Sequence, residues 1–382
     1  MQLLFGIILG LLVLVVLVVA HELGHAIVAR RNGVVVEEFG VGFPPRAWGK
    51  KLKNGVLFTL NWLPLGGFVK LQGEHDAANK KGDYGAAGYW GKTKILLAGV
   101  AMNWLIAAVL LTALAWVGLP KILPNQFTMP GDTTVVKKPV EIVEVIKDSP
   151  AAAAGLSVGD EILRFNGETV PTADTLVSQA EKHKGQTVEV IYSRSGVEHT
   201  TDVKLRGSDG DSKGYLGVGS GQQQAIRASW SAPIVGVTTA AQFTWVTLEG
   251  LGQLVGNLVS GVILQFSSDS ATRTAAHQAL ASAGSSVAGP VGILGTIFPA
   301  AEQAGFSQVV FLTAIISLTL AVMNILPIPA LDGGRWFVMT IYRLRGKELT
   351  KEREEKIQGT GFLVLMILVI IVTVADVSKL FR

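Results

Sequence analysis

His21, Glu22 and His25 stand together in the run VVLVVAHELGHAIVARRNG, residues 15–33. On a helix, positions i and i+4 share one face, so both imidazoles can reach a single metal ion. Glu22 follows the first imidazole directly, and its carboxylate can take a proton from water at that ion. Zinc is the expected metal, because it accepts His and carboxylate ligands and a working site keeps one position for water. Water in such a position has its pKa lowered to about 7 and can attack at neutral pH. The alternative is that these are incidental polar residues at a membrane edge. A charged side chain near the centre of a membrane helix costs about 2.5–3.5 kcal/mol, which weighs against it.

Two imidazoles leave the ligand set incomplete. The chain has no cysteine, so a third ligand must be His, Asp or Glu. His75 lies in the polar loop GEHDAANKKGD and suits solvent. His183, His199 and His277 fall in a long segment that the charge pattern assigns to the other side of the membrane. Asp332, in MNILPIPALDGG (323–334), directly follows an apolar run and sits in a Pro- and Gly-rich break. Asp-Gly is also a common turn pair, so alone Asp332 reads equally well as a turn residue. Beside an H-E-x-x-H that lacks a third ligand, the ligand reading is preferred.

The elements that must position these groups follow from composition. The 382 residues are 49% hydrophobic and only 16% charged, with mean hydropathy +0.43; soluble domains carry about 25% charged residues. The net charge of +4 does not indicate a nucleic-acid partner, since the excess Lys and Arg flank apolar runs, where they set topology. Apolar runs predict membrane helices over 1–31, 95–119, 308–334 and 359–377; the third is interrupted by Asn324 and stopped by prolines, as suits a helix that breaks inside protein rather than in lipid. A cleaved signal peptide is the rival for the first, but Met1-Gln2 supplies no basic n-region. Basic residues crowd the loops 32–94 and 335–356, so the positive-inside rule assigns both to the cytoplasm and the segment 120–307 to the outer side. Within that segment, 136–206 reads as a small soluble domain. VEIVEVI and TVEVIYSR alternate like strands, a helix fits 173–182, and Gly159-Asp160 and Asn166-Gly167 mark turns. Residues 207–224 are linker-like and 267–288 look mobile. Residues 228–268 are expected to form amphipathic helices on the outer surface, because one further span would reverse the basic loop 335–356. Finally, GVLFTLNWLPLGGFVKL (55–71) alternates and turns like a hairpin in a cytoplasmic loop. An exposed strand edge of that kind can capture an extended peptide by β-addition.

HELGH in the first span, GPVGI at 289–293 and NILPIPALDGG at 324–334 together resemble the site-2 protease family of intramembrane metalloproteases. The bacterial branch typified by the regulator of sigma-E protease is the nearest in pattern. The resemblance implies that His21, His25 and Asp332 are zinc ligands and Glu22 the catalytic base. It implies that Asn324 helps to bind substrate or polarise the scissile carbonyl. The family's membrane-associated hairpin ends in G-F-x-K, matched by Gly67, Phe68 and Lys70, which are thereby implied to bind substrate. It also implies a PDZ fold for the outer domain, and SPAAAAGLSVGDEILRFNGETV (149–170) looks like the circularly permuted bacterial signature. The best-known members carry two such domains in tandem; one signature is visible here.

The expected fold is thus an α-helical polytopic membrane protein with about four transmembrane helices, a membrane-associated β-hairpin region and one extracytoplasmic PDZ domain of α+β type. The expected place is the bacterial cytoplasmic (inner) membrane, with the active site near its cytoplasmic side. The expected activity is that of a zinc endopeptidase cutting membrane segments of single-pass proteins, such as a pre-trimmed anti-sigma factor or a remnant signal peptide. Peptide termini are a further expected partner, at the PDZ domain. A catalytically idle PDZ scaffold is the alternative, and it would call for a damaged motif. A metal transporter would call for ionisable residues in several spans, which the other runs lack.

Overall fold

A computed structural model describes residues 2–194, 196–207, 214–266, 269–285 and 288–380. The chain forms two compact units, Met1–Leu114 with Pro233–Arg382, and Ala115–Ala232.

The first unit opens with helix α1 (Gln2–Arg31). Its 30 residues reach about 45 Å at 1.5 Å per residue, more than the ~30 Å of a bilayer's hydrocarbon. Strands β1 (Val36–Lys51) and β2 (Leu57–Leu71) follow and pair with each other. The hairpin expected inside 55–71 is different in kind. Those residues form one strand, and its partner is the preceding segment, whose Gly-Val-Gly-Phe-Pro-Pro interruption hides it from alternation. Both strands fold back at glycines with positive φ, Gly42 at 78° and Gly66 at 92°. Gly40 therefore pairs with Phe68 and also with Thr59. Helix α2 (Tyr89–Val117) follows and is the most buried of the long apolar helices among the described residues.

The second unit is a sheet of β3 (Leu119–Pro120), β4 (Thr134–Val145), β5 (Glu161–Phe165), β6 (Glu168–Thr169), β7 (Thr187–Arg194), β8 (Val197–Lys204) and β9 (Val218–Arg227). The order is β3-β9-β4-β5-β7-β8, with β6 paired to β5. Two short helices complete it, α3 (Pro150–Ala153) and α4 (Ala173–Lys182). Alternate residues of β4 (Val140, Ile142) and β7 (Val188, Val190) point inward, and a register shift in β5 brings Ile162 and Phe165 into the same core. Helix α4 starts where Thr172 Oγ1 accepts the Thr175 N–H at 3.2 Å, a side-chain cap. Asn166 and Gly167 both have positive φ and form the tight turn between β5 and β6. The linker expected over 207–224 in fact contributes β9, hydrogen-bonded between β3 and β4; its residues 208–213 lie outside the described ones. The chemical signal missed there is the Gly-Gln-rich composition of a strand held mainly by its backbone.

Back in the first unit, α5 (Ala232–Leu264) is one 33-residue helix whose single charge is Glu249. It is long and apolar enough to cross a membrane, which gives five such helices among the described residues instead of the four expected. The polar residues that suggested a surface-lying helix are partly masked: Thr244 and Thr247 donate their hydroxyls to the Ala240 and Phe243 carbonyls of their own helix. Helix α6 (Ser270–Ser285) occupies most of the segment expected to be mobile, in keeping with its Ala-rich sequence. Residues 267–268 and 286–287 of that segment lie outside the described ones. Helices α7 (Pro290–Gly292) and α8 (Phe298–Gln303) are joined by a π-turn over Ile293–Ile297. Helix α9 (Phe306–Ile325) ends ahead of Pro327 and Pro329, since residues before proline avoid helical backbone. A separate helix, α10 (Asp332–Leu344), starts after the turn, so the span expected over 308–334 is broken at its polar motif. Helix α11 (Lys351–Leu380) closes the unit.

Candidate metal centre

Two elements far apart in sequence, α1 and α10, bring three donor atoms to one point. His21 Nε2 lies 3.0 Å from Asp332 Oδ2. His25 Nε2 lies 3.1 Å from His21 Nε2 and 3.2 Å from Asp332 Oδ2. Both imidazoles are buried. Two ligands each 2.0–2.1 Å from a tetrahedral zinc stand about 3.3 Å apart, so this donor set fits zinc by chemistry and by spacing. His21, His25 and Asp332 could hold a metal ion, and each offers one ligand atom.

The surroundings show how the site is built. Gly24 of α1 faces the Ala98 carbonyl of α2, where a Cβ would lie 2.7 Å away. Gly99 of α2 faces the imidazoles, and a Cβ there would sit 2.5 Å from the Nε2 atoms of both His21 and His25. The two helices therefore cross closely at the donors because neither carries a side chain at the contact. His25 Nδ1 donates to the Ile95 carbonyl at 2.7 Å, which leaves the Nε2 lone pair free to bind metal. The turn carrying Asp332 is equally tight. Gly333 and Gly334 pack on the Ile325 and Ile328 carbonyls, where a Cβ would be 2.1 and 1.9 Å away. Ala330 has φ 78°, and its N–H donates to Gln358 Oε1 of α11 at 2.6 Å.

One turn beyond Asp332, Arg335 donates to Glu354 and Glu74, each at 3.0 Å, and to the Glu74 carbonyl. Burial opposes its charge, but Tyr84, Glu74 and Glu354 face it and hold its pKa above the ordinary guanidinium value. This ties α10 to α11 and to the loop after β2.

Glu22 lines a cavity of about 890 Å³ together with His25, Asp332, Phe68, Lys70 and Arg335. Gly67 rests on the same spot, since a Cβ there would lie 3.6 Å from Glu22 Cγ. Lys70 is exposed and pairs with Glu37 at 3.0 Å; that carboxylate keeps its pKa above the usual lysine value. Asn324, in the last turn of α9, donates its amide to the Leu320 carbonyl of its own helix at 3.0 Å. Among the histidines set aside, His75 faces Glu355 at 3.8 Å, His199 stacks on Tyr192, His183 bonds Gln186, and His277 is exposed on α6. Sequence reasoning missed Gly99, Arg335 and Gln358. Gly99 carries no visible signal. Arg335 could have been suspected as a polar residue next to the break; Gln358, 28 residues on from Ala330 and inside α11, could not.

The family model described as Peptidase family M50 matches residues 9–368. The chain belongs to peptidase family M50. This site-2 protease family member is a zinc metalloprotease of the intramembrane type. A Clostridium perfringens chain assigned to the zinc metalloproteases is 31% identical over 371 residues, covering 97% of this M50 protease and 98% of that chain. The regulator of sigma-W protease RasP of Bacillus subtilis is 25% identical over 446 residues, covering 96% of each. Among solved structures, a Listeria monocytogenes PDZ domain is similar to a quarter of the chain, at 25% identity, TM-score 0.19 and 93% coverage of that domain.

Proposed function

We propose that this M50 protease cuts single-pass membrane proteins within their transmembrane segments, after an earlier cut has trimmed the outer side. Pre-trimmed anti-sigma factors and remnant signal peptides have the required form. The reading is carried by one observation: Glu22 and the three donors sit where α1, α2 and the α9–α10 break meet, and α1, α2 and α9 are long and apolar enough to cross a bilayer.

His21, His25 and Asp332 would hold the zinc, with Glu22 as the catalytic base. A zinc ion in such a site supplies polarisation of a carbonyl and makes a neighbouring water acidic enough to attack near neutral pH. Glu22 takes the proton from the attacking water and passes it to the nitrogen of the leaving peptide. The Ile95 carbonyl keeps the His25 proton on Nδ1 and away from the metal side. Substrate must be unwound first, because a helical carbonyl is already hydrogen-bonded. Residues Gly67–Leu71 of β2 pair with β1 along one edge, and Gly67 packs against Glu22 along the other. Strand addition along β2 would lay an extended segment beside Glu22. Gly67, Phe68 and Lys70 thereby become substrate contacts, and Asn324 turns its amide from Leu320 to the substrate backbone.

The basic loops 32–94 and 335–356 support an orientation with the metal centre near the cytoplasmic face of the bacterial inner membrane and the PDZ domain outside. A groove of about 360 Å³ between α4 and Gly214–Val218, lined by Leu176 and Ala180, suits an apolar peptide terminus. The test is mass-spectrometric mapping of the products from a doubly tagged single-pass substrate, full-length or lacking its outer domain. The expected result is a cut inside the apolar segment of the trimmed form. Binding without cutting, by chain shown to contain zinc, would favour an idle PDZ scaffold instead.

A further inference from the structure

Asn103 stands on the second helix, in the apolar run 95–119, and is 1% exposed. Its Nδ2 lies 3.5 Å from His21 Nδ1. Its Oδ1 is fully enclosed and has no hydrogen-bond partner among the described residues. An enclosed amide oxygen without a donor costs about 1–3 kcal/mol, so its presence calls for a use.

The tautomer of His21 supplies one. A neutral imidazole has one N–H and one lone pair. With Nε2 protonated, His21 donates to Asp332 Oδ2 at 3.0 Å, and Nδ1 is left to accept from Asn103 Nδ2. A His21 that gives its Nε2 lone pair to metal must carry its proton on Nδ1, and that proton needs an acceptor. A half-turn of the Asn103 amide exchanges nitrogen for oxygen at the same place. Oδ1 then accepts the Nδ1–H, and Nδ2 moves to the place that Oδ1 leaves. His25 needs no such device, because the Ile95 carbonyl is a fixed acceptor at 2.7 Å. The two imidazoles thus differ: one is locked in the ligating tautomer, the other is set by an amide that can present either atom.

We propose that Asn103 is a positioning residue for the metal, turning its amide so that Oδ1 accepts His21 Nδ1–H and holds His21 in the zinc-ligating tautomer. This rests on the reading of His21, His25 and Asp332 as the ligands. Asn103 also accepts, through its backbone carbonyl, the hydroxyl of Ser317 on α9 at 2.8 Å. That bond belongs to helix packing and gives a control that leaves the amide alone.

The test measures zinc affinity of the purified full chain by competition with a chromogenic chelator, and the d–d absorption of the cobalt-loaded form. Asn103→Leu removes the acceptor and should weaken zinc about ten- to hundredfold and shift the cobalt bands. Asn103→Asp keeps an acceptor that cannot present a donor, and should bind zinc within about threefold of the parent or more tightly. Ser317→Ala should also stay within about threefold. Retention of parental affinity by Asn103→Leu would overturn the proposal. So would a tenfold loss in Asn103→Asp, which needs no leucine variant to fold, or a loss in Ser317→Ala as large as that in Asn103→Leu. Asp332→Asn and His25→Ala are measured alongside: if they leave zinc affinity untouched, the ligand reading itself has failed, whatever Asn103 does.

Discussion

Buried polar groups do different work in the two units. In the sheet unit they close local structure. Asp160 accepts the Ser157 N–H at 2.8 Å and the Arg194 guanidinium at 2.7 and 2.8 Å. Ser149 Oγ caps α3 by accepting the Ala152 N–H at 3.2 Å, and Gln179 donates to Glu168 at 3.0 Å. Each of these groups makes a hydrogen bond within the sheet unit, although Gln179 Oε1 is buried without a partner among the described residues. In the helical unit, His21, His25 and Asp332 come from α1 and α10 and gather lone pairs at one point, with Asn103 behind them. Three acceptors crowded together are unfavourable until a cation joins them. Polar groups that pair off within one unit mark scaffold, and lone pairs that converge on one point from distant elements mark chemistry.

The largest effect that would break this contrast is expected at Gly99. Gly99→Ala puts a methyl 2.5 Å from both imidazoles. Overpacking costs about 1–3 kcal/mol, so zinc affinity should fall about ten- to hundredfold, as chelator competition would read. Unchanged affinity would mean that the close crossing of α1 and α2 does not serve the donors.

Next in size is Gly67→Leu, which fills the space between β2 and Glu22 without touching a donor. Cleavage should fall about ten- to hundredfold while zinc content stays at the parental value. A loss of zinc along with activity would show that β2 supports the metal site and is more than a substrate edge.

The smallest effect is expected in the sheet unit. Burial raises the pKa of Asp160, but the Arg194 guanidinium and the Ser157 N–H outweigh it and leave the carboxyl below its ordinary value. Its folded value is thus lower than its unfolded one. The stabilisation is present above the unfolded value, about 4, and disappears as pH falls through the lower folded value. Hydrogen exchange of β5 and β7 amides in the full chain should show protection kept to about pH 4 and lost below it. Asp160→Asn should exchange about tenfold faster at neutral pH and lack that acid transition, with proteolysis unaffected.

What could be read from the sequence follows the same division. His21, Glu22 and His25 were legible because helical spacing is a local property, and Asp332 because an acid in a Pro-Gly break after an apolar run is conspicuous. Helix α4 and the turns at Gly159 and Asn166 were legible for the same local reason. Gly99 and Asn103 were not, since each acquires a role only where α2 crosses α1. Strand β1 was hidden by the bend at Gly42, and the reach of α5 by threonines that turn their hydroxyls onto their own helix. Asn324 remains a residue singled out by resemblance whose amide faces Leu320 here.

The central claim is that ligands and base are separate parts of one centre built on α1 and α10, and one pair of assays on a single preparation tests it most directly. Zinc content and cleavage of a trimmed single-pass substrate are measured for the parent and for Glu22→Gln, which keeps size and donors but removes the base. The account predicts one zinc per chain in both, with cleavage lower by about 10²–10⁴-fold in the variant. Glu22→Gln that holds its zinc and still cuts at the parental rate would contradict it.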